Sequence, residues 1–516
     1  MGKKHLITFL LLFLLLGAMS SYADEGEITS LPGGGWWVGA QVMNVGERTA
    51  TVMFTPILGL EMGTLQPPSA DPATTSVPPR ASTTFMPGSY GNLVMDDGYK
   101  GSAIVAADQP VVGIGQIGNN LIGGDQPDPI GVTDGRAAAQ YSGVGYSATD
   151  TKLTFPVVKN DYKHKTTTFF VQTVQAGTIY ITYSMDRGQA TYRDSVTTRV
   201  DGQTVTLSPS DADVPQTCTD PDFSCLGALT ITSTVRLAGS YVEHNTTENP
   251  AQILLSTRGF TPSDFDTTIM FPVIKSMWRG RTTGIQIQNI GNTASIITLT
   301  LSYQDGVVSE ADGTHVRYDN VLPGSSVTFF PGNHGIFKGP LPPDHITIDD
   351  EFLGAAIVTS NQPMVAILNE NDFAPPDVTK QTVFAGFPQS IGTSTVLLPL
   401  VKEDYNGNQT GIQIANIGID SVYLEAEYVL DTGTFTVDEY AGPIIIPPGK
   451  SFTFYGVTEY WTGYEEYRHG VGAVTIRAIP VDGTDARIVG IAQEAERLPG
   501  GGLDYLDTKN YEGFNQ

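Results

Sequence analysis

Two stretches of the chain carry the same pattern of apolar and polar positions. One is Gly284-Ile285-Gln286-Ile287-Gln288-Asn289-Ile290-Gly291 and the other is Gly411-Ile412-Gln413-Ile414-Ala415-Asn416-Ile417-Gly418. Period-two alternation predicts a strand with one face buried, and Asn-x-Gly predicts the turn that ends it. A proline stands twelve residues before each first glycine, Pro272 in Phe271-Pro-Val-Ile-Lys275 and Pro399 in Leu398-Pro-Leu-Val-Lys402.

The elements around these stretches recur in the same order. In the third repeat the Gly284 strand leads to a strand over 295–303, which is expected to pair with it. A Leu322-Pro-Gly turn follows. The run Gly354 to Leu368 closes the unit as two strands, with a turn at Ser360-Asn361-Gln362-Pro363. The fourth repeat matches with an alternating run from Val422 to Tyr428, a Pro447-Pro448-Gly449 turn and closing strands at 472–476 and 487–492. The first has Gly39 to Gly46, Pro78-Pro79 and a closing run with Asp108-Gln109-Pro110-Val111. The second keeps Phe155-Pro-Val-Val-Lys159, but Thr168 to Gln175 replaces the glycine-bounded strand. No stretch after the N-terminal segment has sustained helical periodicity. The pattern predicts an all-β chain of four tandem immunoglobulin-like antiparallel β-sandwich domains in an elongated array. At ordinary domain size such a rod is about 150 Å long.

The boundaries follow: 1–23 a signal peptide, 24–125 repeat one, 126–258 a linker strand and repeat two, 259–385 repeat three, 386–497 repeat four, 498–516 a tail. Gly143, Gly259 and Gly386 each lie thirteen residues before Pro156, Pro272 and Pro399, with an aromatic nearby. The signature returns at Tyr511-Glu-Gly513-Phe514, so the tail resembles the start of a further linker. Two readings follow. The tail is a scar of duplication, or it docks head-to-tail on the next molecule and builds a filament.

Composition adds a compartment. Lys3 and Lys4, the apolar run from Leu6 to Ala18 and Ser21-Tyr22-Ala23 before Asp24 form a secretory signal peptide. The alternative, an anchor helix, needs a run of about 20 residues. No later stretch is apolar enough to span a membrane as a helix. Losing two lysines takes the formal net charge from −26 to −28, which disfavours nucleic acid as a partner. The cysteines, Cys218 and Cys225, are expected to form a disulfide in an oxidising compartment.

The glycine-bounded strand, the Pro-Pro-Gly turn and the Gln-Pro closing hairpin resemble repeats of large secreted bacterial surface proteins of the immunoglobulin-like type. That resemblance implies surface exposure and binding or scaffolding, and carries over no catalytic residue. The residues themselves offer no nucleophile elbow, zinc-helix motif or phosphate loop. Acid clusters such as Asp96-Asp97, Asp125 with Asp128, Asp220 with Asp222, and Asp349 to Glu351 leave Ca²⁺ open as a ligand, with metal residues unknown and no other cofactor expected. Trp36, Trp37 and Trp461 are candidate glycan contacts. The expectation is a secreted, non-enzymatic structural protein of the cell surface or of an extracellular filament, self-associating head-to-tail. The alternative is a monomeric carbohydrate-binding or adhesin protein that meets cell-surface glycans or envelope proteins.

Overall fold

A computed structural model describes residues 7–9, 15–16, 36–58, 70–86, 93–94, 100–119, 138–216, 225–245, 254–278, 280–303, 315–330, 352–372, 381–405, 407–437, 444–454, 470–497 and 503–516. The described chain is all-β. Its strands form six sheets, and the ladders between them are antiparallel. No helix among the described residues is long and apolar enough to cross a membrane.

The segment 259–385 shows the plan. Phe352–Asp372 is one long strand that serves two ladders. Its first half pairs with Asp266–Ser276 on one side and Ser295–Tyr303 on the other. Its second half pairs with Arg281–Asn289 and Gln381–Ala385. The expected hairpin at Ser360 to Pro363 is therefore not one. The chain passes there from one set of partners to another, and the Pro363 carbonyl accepts the Ile290 N–H at 3.0 Å. Pro110 accepts from Val45 in the same way at 3.0 Å. Nor does Ser295–Tyr303 pair with Arg281–Asn289, as expected of neighbours across a turn.

The Asn-x-Gly ending explains this. Asn289 Nδ2 donates to the carbonyls of Thr293 (2.9 Å) and Val321 (2.8 Å), and its Oδ1 accepts the Gly291 N–H at 2.9 Å. Asn44 and Asn416 make the same three bonds. The amide side chain stands in for a strand neighbour and lets the chain leave its ladder. Glycine follows because a Cβ at Gly46 would meet Gln109 at 3.0 Å, and one at Gly291 would collide with Gln362. In repeat two Thr173 occupies this place with a simpler set of contacts: its Oγ1 donates to the Gln203 carbonyl at 3.3 Å and lies 3.1 Å from Thr198 Oγ1.

Arg281–Asn289 is buried on both faces, not one. Its apolar positions enter their own core. Its polar positions meet the preceding segment, where Gln288 accepts from Thr154 Oγ1 at 2.6 Å. The cores cross boundaries in the same sense. The apolar cluster of segment 126–258 includes Val365, Ile367, Val383 and Ala385 of the next. That of 259–385 includes Ala415, Ile417, Val489 and Ile491. The fourth takes in Ile114 of the first.

The chain therefore closes on itself. Ala138–Ser142, Leu254–Arg258, Gln381–Ala385 and Leu503–Glu512 pack each against the next, and the last against the first. Arg80 reaches Glu427 at 2.8 Å across the same joint. The expected elongated array is corrected to a closed ring, because each apolar core is completed by its neighbour. In a rod, the faces that the first and fourth segments share would stand in water.

In segment 24–125 the place that Asp266–Ser276 holds on Phe352–Asp372 is taken by Ile7–Phe9 and Leu15–Leu16, paired to Lys100–Ala107. Of the N-terminal apolar run, the described residues Ile7–Phe9 and Leu15–Leu16 lie here as strand.

Replacing Asn289 by Ala removes three bonds and leaves the Val321 carbonyl without its buried donor. Urea unfolding should show a loss of about 2 kcal/mol. An unchanged midpoint would contradict this role for the asparagine.

Candidate functional site

The repeated lysine of the Phe-Pro-Val-Ile-Lys stretch meets a glutamate that ends the closing strand. Lys159 Nζ lies 2.6 Å from Glu243, Lys275 2.7 Å from Glu370 and Lys402 2.7 Å from Glu494. The proline aims the lysine. Register shifts fall between Phe155 and Val158, Phe271 and Ile274, and Leu398 and Val401, so each proline lies within a bulge that tolerates its missing N–H. A threonine then fixes the backbone: Thr167, Thr283 and Thr410 Oγ1 accept the lysine N–H at 3.1, 3.0 and 2.9 Å. Repeat one has Ile117 where the others have glutamate, as the ladder registers of Val38 and Thr283 show.

Burial works against charge on Glu370, but Lys275 and then Arg281 (Nη1 at 2.6 Å) pull its carboxyl down to about 2. Gln493 of the next segment donates to the same carboxylate at 3.0 Å. Glu494 is likewise held below its usual range against burial, by Lys509 and Lys402. These are ion pairs at the joints between segments. Each carboxylate is engaged by cations, which suits a lock better than an acid or base.

Lys165 differs. Burial, and then the charge of Lys159, lower it to about 7, and Nζ donates to Gln381 Oε1 of the next segment at 2.6 Å. It is an amine that titrates near neutrality inside a joint.

Around the axis of the ring the four closing strands bring unlike residues together. Glu512 is the centre. Its Oε2 accepts from Ser142 Oγ at 2.6 Å, and its Oε1 from Thr257 Oγ1 at 3.1 Å and from the Ala385 N–H. One carboxylate thus ties the fourth closing strand to the other three. Arg258 stands nearby in a bidentate pair with Asp264 (2.8 and 2.7 Å). Burial opposes its charge, yet Asp264 and Glu512 hold the guanidinium above its usual value.

The tail residues find a place in this frame. Tyr511 is buried, donates to the Leu400 carbonyl and is raised by burial. The Gly513 N–H donates to Gly490 at 2.8 Å, as Gly143, Gly259 and Gly386 do to Gly113, Gly239 and Ala366. A Cβ there would meet Val396 at 2.5 Å. Phe514–Asn515 pairs with Thr395–Glu403 as Phe387–Pro388 pairs with Asp266–Ser276. Each linker signature thus closes the segment before it, and the tail does so for the fourth.

The other candidates are not gathered into this site. Trp36 and Trp37 lie in the strand Trp36–Asn44, and Trp461 lies outside the described residues. Cys225 is buried, with Sγ 3.7 Å from the Gln216 carbonyl; Cys218 lies outside the described residues. So do Asp96, Asp97, Asp125, Asp128, Asp220, Asp222 and Asp349 to Glu351. Among the described residues no three His, Cys, Asp or Glu gather to hold a metal ion.

No family model matches the chain, and no curated protein matches it. Among solved structures it has a likeness to one titled "Crystal Structure of Thermotoga maritima 1070", with 19% identity over 24% of this chain and 94% of that one, at a TM-score of 0.17.

Two predictions concern pH. Glu370 is depressed in the folded state, so its contribution is present above pH 4.5 and lost as pH falls through about 2. Urea unfolding at pH 6 should show Glu370→Gln less stable by about 3 kcal/mol, and the gap should narrow by pH 2. Lys165 is also depressed, so its contribution is full above pH 10.5 and lost as pH falls through about 7. Lys165→Met should raise the melting temperature at pH 6 and change it little at pH 10. The opposite order would contradict the assigned burial.

Proposed function

We propose that this is a secreted, non-enzymatic structural protein of the cell surface or of an extracellular filament, built of four immunoglobulin-like β-sandwich repeats closed into a ring. One observation carries the reading: the polar residues that recur along the chain hold strands and repeats together. The lysine–glutamate pairs, the Asn-x-Gly amides and the axial carboxylate all join protein to protein. A repeated polar residue with that single use is the mark of a scaffold. The secretory reading rests on the leader, and the Cys218–Cys225 disulfide suits the same compartment.

Head-to-tail assembly takes a particular form. Tyr511, Gly513 and Phe514 are seated in their own fourth repeat. Joining two molecules through the tail is therefore strand exchange, in which the closing strand of one copy enters the fourth repeat of another. That same cis seating favours a second reading, a monomeric carbohydrate-binding or adhesin protein that meets glycans through Trp36, Trp37 or Trp461. Ca²⁺ at the acidic loops fits either.

The test is negative-stain microscopy with light scattering of residues 24–516. A structural subunit gives filaments or ordered arrays as concentration rises, and a chain ending at Arg497 gives none. Single particles at every concentration, with glycan binding lost in Trp36→Ala or Trp461→Ala, would transfer the reading to the adhesin. N-terminal sequencing of the exported protein should begin at Asp24; an N-terminus that retains Ile7 to Leu16 would contradict cleavage.

A further inference from the structure

Three residues before Gly143, Gly259, Gly386 and Gly513 stand Gln140, Ser256, Val383 and Asn510. They occupy the same level of the four closing strands and line one small cavity of about 10 Å³, measured as the space open to the centre of a water molecule. Three of the four are polar and nearly sealed from solvent, at 1%, 1% and 3% exposure. Gln140 Oε1 and Nε2, Ser256 Oγ and Asn510 Oδ1 have no protein partner within hydrogen-bond distance. Asn510 Nδ2 is already used, donating to Thr382 Oγ1 at 2.6 Å. Buried polar atoms in native proteins are almost always satisfied, so these four share a missing partner.

We propose that this cavity binds a single water molecule that bridges repeats one, two and four on the axis of the ring. The volume is that of one water. The chemistry matches as well. Gln140 Oε1 and Asn510 Oδ1 offer acceptors, and Gln140 Nε2 and the Ser256 hydroxyl offer donors. A water gives two hydrogen bonds and takes two, which meets this set. A calcium ion needs six to eight oxygens, and the three side-chain oxygens of Gln140, Ser256 and Asn510 do not supply them. An apolar ligand would leave the same atoms unsatisfied.

The site also reports on the ring. Its wall comes from all four closing strands, so no single repeat encloses it. A water held by atoms of three closing strands loses partners when those strands part, so its residence time responds to ring opening. This inference concerns the axis alone and stands whether the protein builds filaments or binds glycans.

The experiment is oxygen-17 magnetic relaxation dispersion on the full mature chain, with a crystal structure at atomic resolution. The expected count of long-lived waters falls by one in the double variant Gln140→Leu with Asn510→Leu. The crystal should show one water about 3 Å from Gln140, Ser256 and Asn510. If the double variant fails to fold, Ser256→Ala serves instead. It should keep the water with one partner fewer and shorten its residence several-fold. A dry cavity whose side chains bond one another, an unchanged count in the double variant, an unchanged residence in Ser256→Ala, or a metal ion in the density would each overturn the assignment.

Discussion

Each repeat buries its apolar surface only by sharing it. The sheets of a single segment leave outer faces that are still apolar, and an exposed face of that kind would draw neighbours indiscriminately. Here each segment's core runs on into the next, and the fourth runs on into the first through Ile114. Sharing of this kind has one stable end state for a short array. The faces left over at the two ends must meet, and the chain becomes a ring. The buried ion pairs and axial bonds then fix the register of faces that hydrophobic contact alone would leave free to slide.

The Glu512 carboxylate shows how the symmetry is broken to advantage. The four equivalent positions are Ser142, Arg258, Ala385 and Glu512. Four copies of any one charge would repel at the axis. One serine, one cation, one small apolar residue and one carboxylate instead make a complementary set. The low dielectric of the axis strengthens these bonds and penalises any that are left unmade. The same logic makes repeat one exceptional, with isoleucine at position 117 where the others carry glutamate.

Much of this was legible along the chain. Alternation around Ile285 and Ile412 located strands, and Asn-x-Gly located their ends. The spacing from Gly386 to Pro399 revealed a repeated joint. Other features were hidden for physical reasons. Strand pairing was misjudged at Asn289 because an asparagine side chain can replace a ladder bond, which no periodicity records. The partners of the lysines lay just past the repeats' recognised closing runs, as Glu243, Glu370 and Glu494, and their recurrence was the signal that could have found them. Ring closure is a long-range property. Its trace was faint: polar strand positions such as Gln286 and Gln288 are buried against a neighbour, and in sequence they look solvent-facing. The tail's meaning changed for the same reason, since a signature that looks like a beginning proves to be an ending.

Closure of the ring is the central claim, and small-angle X-ray scattering of residues 24–516 in dilute solution tests it most directly. A closed body of this length has a radius of gyration of about 23 Å, and in any event below about 30 Å. A rod about 150 Å long gives about 40 Å or more, and the pair-distance distribution then trails out to the rod's length. The compact value is the one expected, and the extended value would contradict the ring.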